Sequence, residues 1–315
     1  MLASAPPAAA PAIRQVMGRS PGEVVVPTLR TGLSGGARGE TGSGRRKGLY
    51  RGLAVSLVLY EQQGRDIDMR ACLAEISVGQ FTAVEGRLDK YFASNQVAEE
   101  FSAALRVDAQ QMWTAWQQSN LTDQGFALEM LTIGQCVQRA KARDIDFMGV
   151  SFTPAPGDGP RGDDVLQLLA GKLDELGAAV HRKGGYLGLH NDEALSRDGA
   201  RELRYLLSHT KPENVSLCAD VAWLARAGNN PVDVLTAFKD RIRTLHVRQM
   251  KGGHWVEDFS EGDIDYRPVD KVVRPLKQDV RVVWEPTYET ETKLTRRTVD
   301  DLKLSRQYLR RVFAL

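Results

Sequence analysis

Four apolar runs in the second half of the chain end in side chains that can bind a metal ion or transfer a proton. Residues 186–189 lead into His190-Asn191-Asp192-Glu193, and the next three such runs close with Asp220, His246 and Glu285. Imidazole nitrogens and carboxylate oxygens together form a donor set that suits hard or borderline divalent cations. The pattern predicts a site for Mn²⁺, Mg²⁺, Co²⁺ or Zn²⁺ if the ends of the four runs meet in space.

Each of these residues also has an ordinary structural explanation. A single acidic residue after a strand commonly caps the following helix, and a lone histidine is commonly structural. The recurrence is what favours function, because Asp220, His246 and Glu285 each close a run that is otherwise apolar or suited to line a barrel.

The runs that carry these residues belong to a longer alternation of strand-like and helix-like segments. Eight segments are predicted as strands: residues 53–60, 82–85, 112–115, 147–152, 186–190, 215–219, 244–247 and 280–284. Helical patterns are found at residues 69–78, 95–105, 126–143, 163–183, 197–209, 231–241, 268–276 and 298–313. Strands that alternate with helices favour parallel strands joined by crossovers, and eight such units predict an α/β (β/α)8 TIM barrel.

A barrel would bring the polar residues together, because the active sites of this architecture lie at the C-terminal ends of the strands. An open doubly wound sheet is the alternative fold. It is disfavoured because no Gly-rich dinucleotide-binding motif follows the first predicted strand.

Composition is that of an ordinary globular protein, with 315 residues, 42 Lys and Arg, 40 Asp and Glu, and 42% hydrophobic residues. Residues 1–48 hold seven of the basic residues and only two acids, so the remaining 267 residues are slightly acidic. An acidic body argues against a nucleic-acid partner, and no apolar stretch is long enough to span a membrane. The three cysteines, Cys72, Cys136 and Cys218, have no metal-binding or disulfide spacing.

The first 48 residues are predicted to be a disordered extension ahead of a catalytic domain at residues 49–315. They contain nine of the 29 glycines and five of the 13 prolines, and such a segment buries too little apolar surface to offset its ordering entropy. We expect a cytoplasmic protein. Export through a twin-arginine-like start is the alternative, because Arg45-Arg46 precede an apolar stretch.

Several motifs resemble the xylose isomerase-like (β/α)8 enzymes, a family of sugar phosphate isomerases/epimerases whose relatives include ketose 3-epimerases, inosose dehydratase and endonuclease IV. The similarity covers roughly residues 50–313. It is strongest at Leu189-His190-Asn191, at residues 212–220, at residues 240–249, at Gly262-Asp263-Ile264-Asp265-Tyr266 and at Glu285. His246-x-Arg248 followed by Gly262-Asp263-x-Asp265 is the most specific of these motifs.

The resemblance implies a divalent metal, with Mn²⁺ the first expectation, held by Asp220, His246 and Glu285. The family's fourth ligand is usually a glutamate on the preceding strand. Here His190, Asp192 and Glu193 compete for that role, and His190 is our first choice. A second departure from the family's pattern is Ala222, two residues after Asp220, where close relatives tend to carry histidine.

The chemistry implied by the family is proton abstraction next to a carbonyl of a sugar or sugar derivative, with an enediolate stabilised by the metal. Glu285 is the first choice for the base and Glu193 the second. An isomerase or epimerase is therefore expected. A lyase of inosose- or keto-sugar-dehydratase type is the runner-up, because a histidine facing Glu285 favours a reaction on one face of the substrate.

Four further residues are candidates for binding a small carbohydrate substrate. Arg248 and Lys251 could bind a phosphate or carboxylate group, Glu85 closes the second predicted strand, and Trp223 could stack on a sugar ring, as could Trp255 and Trp284. Homo-oligomer formation is left open by the sequence.

Two other classes of protein stay open. An abasic-site endonuclease would need more histidines at strand ends than the five in this chain supply. An inactive sugar-binding barrel with a degraded metal site is suggested by Asp192 and Ala222, and metal content would separate it from an enzyme.

Overall fold

The computed structural model of the chain describes residues 50–107, 111–119, 135, 138–139, 145–152 and 159–314. The predicted disordered extension lies outside these residues, as do Cys136 and most of the helix predicted at 126–143. The described segments form a (β/α)8 barrel, which confirms the predicted fold class.

Eight parallel strands close the barrel, and the first strand pairs with both the second and the last. Around the barrel the order is β1, β2, β3, β4, β5, β6, β7 and β10, so strands adjacent in the chain are neighbours in space. A two-stranded antiparallel hairpin, β8 and β9, follows β7 and lies outside the closed sheet. The strands are β1 (Tyr50–Ser56), β2 (Ala83–Arg87), β3 (Gln111–Ser119), β4 (Phe147–Phe152), β5 (Tyr186–His190), β6 (Val215–Asp220), β7 (Ile242–Val247), β8 (Met250–Lys251), β9 (His254–Trp255) and β10 (Val280–Trp284).

Helices follow the strands and cover the barrel. The described ones are α1 (Val58–Gln62), α2 (Met69–Val78), α3 (Leu88–Tyr91), α4 (Asn95–Val107), α5 (Asp163–Arg182), α6 (Glu193–Ser208), α7 (Val221–Arg226), α8 (Pro231–Ala237), α9 (Arg267–Val273) and α10 (Thr298–Phe313). Helix α5 shows how the sequence selects this arrangement, because Leu166, Leu169, Leu173, Leu176 and Val180 recur at helical spacing and are all buried. No helix among the described residues is long and apolar enough to cross a bilayer.

Two of the differences between the predicted and the observed elements lie near the site. The first strand was predicted to continue to residue 60, but it ends at Ser56, where the Leu57 amide donates to the Glu85 carbonyl and helix α1 begins. The short helix α7 was not predicted, because residues 221–226 are mainly apolar and show no polar face. Both differences place chain turns at the C-terminal end of the barrel.

Glycines permit close packing between the strands and the surrounding helices. A Cβ atom at Gly188 in β5 would lie 2.2 Å from the ring of Phe147 in β4, which is fully buried. In α5, a Cβ atom at Gly177 would lie 2.2 Å from the carbonyl oxygen of Asn214, just before β6. These contacts help to fix β4, β5 and β6 relative to one another. They therefore help to fix where the last residues of β5 and β6 lie along the barrel axis.

Candidate metal centre

Four strand ends deliver four side chains to one point at the C-terminal end of the barrel. His190 is the last residue of β5, Asp220 is the last of β6, His246 lies in β7, and Glu285 follows β10. One ligand atom from each lies within 4.8 Å of those of the other three, and all four residues are buried. The structure therefore brings together the four residues predicted from the sequence as metal ligands.

Asp220 is fixed by contacts on both sides of the strand end. Its Oδ1 accepts the Trp223 amide at 2.9 Å and so caps helix α7, while its own amide donates to Asn191 Oδ1 at 2.9 Å. The side-chain amide of Asn191 also donates to the Asp220 carbonyl at 2.8 Å. Asn191 thus ties the end of β5 to the end of β6 and holds His190 beside Asp220.

The two histidines are oriented by neighbouring polar groups. His246 Nε2 lies 3.1 Å from Glu85 Oε2, which leaves Nδ1 facing Glu285 Oε2 at 3.3 Å. His190 Nδ1 is 2.8 Å from the Ser151 hydroxyl, and Nε2 is 3.7 Å from Asp220 Oδ2. An imidazole that donates one N–H to a carboxylate presents the other nitrogen to a metal in the correct tautomer, and Glu85 occupies that supporting position.

The four clustered residues fit a divalent metal, because three of them carry buried polar atoms that lack a hydrogen-bond partner. Within the described part of the chain, His190 Nε2, His246 Nδ1 and Glu285 Oε2 are buried and have no hydrogen-bond partner. Buried polar atoms normally find a partner, and these three lie on three members of a single four-residue cluster. Two imidazole nitrogens and two carboxylates form a mixed N/O set that matches borderline divalent ions.

A buried guanidinium group lies against the same carboxylates. Arg248 Nη2 donates to Asp220 Oδ2 and lies 3.2 Å from Glu285 Oε2, while Nη1 donates to Thr287 Oγ1. The residue is 3% exposed. Arg248 therefore acts as a counterion to the acidic members of the cluster.

Mutual electrostatics shift the pKa values of these groups in a consistent way. Burial opposes the charge on His246, but the neighbouring carboxylates of Glu85 and Glu285 outweigh it and raise the pKa of His246. Burial also tends to raise the pKa of Glu285, yet His246 and Arg248 hold it well below its usual range. The pKa of the Cys218 thiol rises to about 11 through burial, so this cysteine is an uncharged neighbour.

A cavity of about 360 Å³ opens directly above the cluster. Trp223 and Trp255 form part of its wall, with ring centroids 5.1 Å apart in a T-shaped arrangement. Asp192 also lines it, and burial raises the pKa of this carboxyl group although it caps helix α6 at the Leu195 amide. The remaining lining residues are Val58, Ser151, His190, His246, Arg248, Glu285, Thr287, Tyr288 and Glu289.

Several predicted site residues lie away from this cavity. Glu193, the second choice for the base, is in the first turn of α6, where its exposed side chain pairs with Arg197 at 2.6 Å. Lys251 is exposed in hairpin strand β8 and does not line the cavity. The structure does not bring these two residues to the cavity, because the chain turns outward immediately after Asp192 and again after Gln249.

Three other residues named in the sequence analysis, Glu85, Trp284 and Ala222, do not line the cavity. Glu85 is fully buried behind His246 and supports the cluster, whereas it was predicted to bind substrate. Trp284 packs in the core against Phe81, with ring centroids 6.0 Å apart, and is not part of a sugar-binding wall. Ala222 is buried in the core, so the side chain of this turn that faces the cavity is Trp223.

Sequence reasoning missed Ser151, Thr287, Glu289 and Arg226. Ser151 is the fifth residue of β4, beside the end of β5, so its proximity to His190 follows from the parallel register of these strands. Glu289 lies in the loop after β10, where its carboxylate accepts the Trp255 amide at 2.8 Å and pairs with Arg226 at 3.0 Å. No sequence pattern signals this residue, because its position depends on the path of an irregular loop.

Comparison with known proteins assigns the sequence to a family and identifies curated relatives of it. The sequence model of the family described as xylose isomerase-like TIM barrel matches residues 80–311. Inosose dehydratase from Lacticaseibacillus casei is 24% identical over 141 residues, which cover 39% of this chain and 47% of that enzyme. The chain therefore spans about half the length of the curated relative it matches.

Solved structures show the same fold at low sequence identity. A sugar phosphate isomerase/epimerase from Parabacteroides distasonis superposes with a TM-score of 0.67 at 14% identity, covering 85% of this chain and 95% of that one. D-psicose 3-epimerase from Clostridium cellulolyticum, solved with D-tagatose, gives a TM-score of 0.68 at 12% identity, covering 83% and 99%.

Proposed function

Because the chain belongs to the xylose isomerase-like TIM barrel family, we propose that it is a divalent-metal-dependent enzyme acting on a keto sugar or related polyol. The observation that carries the proposal is the buried cluster of His190, Asp220, His246 and Glu285 at the base of a cavity. The reaction starts with removal of a proton from a carbon next to a carbonyl group.

His190 Nε2, His246 Nδ1 and the carboxylates of Asp220 and Glu285 would hold the metal, with Mn²⁺ as first choice. When bound, the ion supplies a Lewis acid that polarises the carbonyl oxygen of the substrate. Glu85 keeps the His246 tautomer that leaves Nδ1 available. Ser151 does the same for His190 by bonding to Nδ1.

Two carboxyl groups that line the cavity differ in their surroundings and suit different roles. Glu285 lies beside His246 and Arg248, which favour its ionised form, so its carboxylate takes the proton from carbon. Partial burial at the cavity wall raises the pKa of the Asp192 carboxyl group, so Asp192 is suited to deliver a proton to a leaving hydroxyl. A carboxylate held in its ionised form and a carboxyl group of raised pKa in one cavity suit the roles of base and acid.

Elimination of water is the form of this reaction that the geometry supports best. A two-base epimerase needs an ionised carboxylate on each face of the substrate, whereas the β5 strand end here carries His190. The sequence similarity to inosose dehydratase supports the same choice. Aldose–ketose isomerisation by the same base is the second candidate, because Glu285 alone can start it.

The test is to incubate metal-loaded protein with inososes, ketoses and 3-keto sugars in deuterated water and follow them by NMR and mass spectrometry. A dehydratase gives a product lighter by one water, and an isomerase gives an isomer that carries deuterium. Glu285→Gln should lower turnover by about 10²–10⁴-fold. Glu193→Gln, which alters an exposed glutamate outside the cavity, is the matched control and should keep full activity.

An active Glu285→Gln protein would remove Glu285 as the base. Absence of any reaction together with absence of bound Mn²⁺, Co²⁺ or Zn²⁺ would favour the inactive binding-protein alternative.

A further inference from the structure

We propose that the cavity is built for an uncharged substrate and discriminates against phosphorylated sugars. The inference rests on the proposed function, because it assigns the substrate class of the same cavity. It is carried by what the charged groups around the cavity already bind.

Arg248 has both terminal nitrogens bound by the protein, and although its buried Nε has no hydrogen-bond partner among the described residues, no fork of two free N–H groups remains. A phosphate group is normally held by a guanidinium fork with two free N–H groups that point at it. Both terminal nitrogens of Arg248 are used, Nη2 by Asp220 with Glu285 nearby and Nη1 by Thr287. The guanidinium carbon also lies 4.7 Å from the Trp255 ring centre and 5.2 Å from that of Trp223.

Helix N-termini are the other common phosphate receptors. Among the described residues, α1, α6 and α7 begin beside the cavity. Helix α1 has only five residues, and α6 and α7 are each capped by a carboxylate of the chain. Asp192 Oδ1 accepts the Leu195 amide at 3.1 Å in α6, and Asp220 Oδ1 accepts the Trp223 amide at 2.9 Å in α7. A phosphate would have to displace a carboxylate at either end.

The loops that bind phosphate in many (β/α)8 enzymes carry a negative charge here. Such sites commonly form in the loops after the seventh and eighth barrel strands. In this chain Glu289, from the loop after the eighth barrel strand, binds the Trp255 amide of the hairpin after the seventh. Glu289 also pairs with Arg226 at 3.0 Å, so the neighbouring cation is neutralised.

Summed charge gives the same result. Among the described residues, the cavity wall and its direct supports hold four carboxylates besides Asp192, the proposed acid: those of Glu85, Asp220, Glu285 and Glu289. They also hold two guanidinium groups, those of Arg226 and Arg248. With Asp192 protonated and the histidines neutral, the formal charge is minus two, and a divalent cation would bring it to zero. A phosphate monoester carries about −1.5 to −2 at neutral pH and would find no net positive charge to neutralise it.

The same lining is well suited to a neutral polyol. Carboxylates accept hydrogen bonds from hydroxyl groups, and the partly exposed face of Trp223 offers an apolar surface for the C–H face of a sugar ring. The volume of about 360 Å³ lies at the small end of the range for ligand pockets. An unphosphorylated keto sugar or keto polyol is therefore the expected class.

The test compares compounds that differ only by a phosphate group. Metal-loaded protein is titrated calorimetrically with D-fructose and D-fructose 6-phosphate, with D-tagatose and D-tagatose 6-phosphate, and with myo-inositol and its monophosphate. We expect saturable binding of at least one neutral compound, at least about tenfold tighter than that of its ester. Inorganic phosphate should not compete with it.

Glu289→Gln should narrow the difference between the neutral compound and its ester by several-fold, because it removes one negative charge and releases Arg226. Glu291→Gln is the matched control, since Glu291 is an exposed neighbour on the same loop and does not line the cavity. A structural defect would weaken binding of both compounds and would not change their ratio.

An ester that binds as tightly as its neutral partner, competition by inorganic phosphate, or no binding of any neutral compound would each overturn the inference. Failure of the proposed function is a separate result, because a neutral compound would then bind without exchanging its C–H proton for deuterium.

Discussion

Glu85 is the residue whose role can be tested most directly, because it touches the cluster without lining the cavity. Its carboxylate holds His246 Nε2 at 3.1 Å and so directs Nδ1 to the metal position. Glu85→Gln should weaken Mn²⁺ or Zn²⁺ binding by about 10–100-fold, the usual effect of losing such a supporting group. Titration of the metal-free protein with a chelator-buffered metal measures this.

The control for this variant is Glu193→Gln, whose affinity for the metal should equal that of the wild type. Unchanged affinity in Glu85→Gln would show that His246 needs no support from Glu85 or does not bind the metal. Circular dichroism of both variants checks that the barrel is intact.

At the same scale, the sequence predicted the residues that close regular strands and failed for residues just beyond them. Asp220 ends β6 and His246 is the last residue but one of β7, and the pairing of these strands fixes the direction of each side chain. Asp192 and Glu193 follow β5 where the chain enters helix α6. A shift of one residue in the start of that helix would change which of the two faces the cavity. Period-2 alternation does not extend past the strand, so the sequence could not separate them.

Helix α5 offers a matched pair of glycine variants at the scale of one element. Gly177 packs against the Asn214 carbonyl, whereas a Cβ atom at Gly171 meets nothing within 4 Å. Both variants to alanine gain helix propensity of about 1 kcal/mol. Gly171→Ala should therefore be stabilised, while Gly177→Ala should lose about 1–3 kcal/mol because the backbone of Asn214 must move.

Urea denaturation followed by circular dichroism gives both free energies of unfolding. Equal stabilisation of the two variants would mean that α5 does not pack closely against the start of β6.

Elements with a clear period were predicted to within a few residues. Strands β4, β5 and β10 and helices α2 and α10 have the predicted bounds. Helix α7 was not predicted because its start is stabilised by Asp220, which caps it at the Trp223 amide and is itself held by Asn191. Neither contact can be recognised from a six-residue apolar stretch.

A pH-sensitive cluster contributes to the stability of the whole molecule. Arg296 pairs with Glu257 at 3.0 Å, with Asp301 at 2.8 Å and with Asp258, so one cation serves three buried carboxylates of a loop and of α10. Burial, with Glu257 and Asp258 adding to it and Arg296 opposing it, raises the pKa of Asp301 to about 7. The unfolded chain should titrate this group near pH 4.

Between these two pH values the folded protein binds the extra proton, so stability should fall as pH rises from about 4 to 7. Asp301→Asn should lose this dependence, which can reach at most about 4 kcal/mol. The free energies of unfolding of the wild type and of Asp301→Asn are measured from pH 5 to 8. Their difference should shrink as pH rises, or reverse in favour of the variant at high pH. Asp300→Asn alters a partly exposed neighbour that pairs with Arg297 outside the cluster, and its stability should have the same pH dependence as that of the wild type. Parallel curves for all three proteins would contradict the assignment.

For the whole molecule, the barrel was predictable because eight strand–helix units of suitable length have few other ways to bury their strands. Substrate class was not predictable, since Arg248 in a sequence gives no indication of its partners. Only the fold shows that Asp220, Glu285 and Thr287 already bind it.

The two oxygens of Asp220 belong to different structures, Oδ1 to the cap of α7 and Oδ2 to the cluster. An ion that fixes the carboxylate would also restrain the first turn of α7. Amide hydrogen exchange at Trp223 should then slow when Mn²⁺ is added, while exchange in α8, which is capped by Asn230, stays the same. The isotope content of one backbone amide would thus report whether the barrel has taken up its metal.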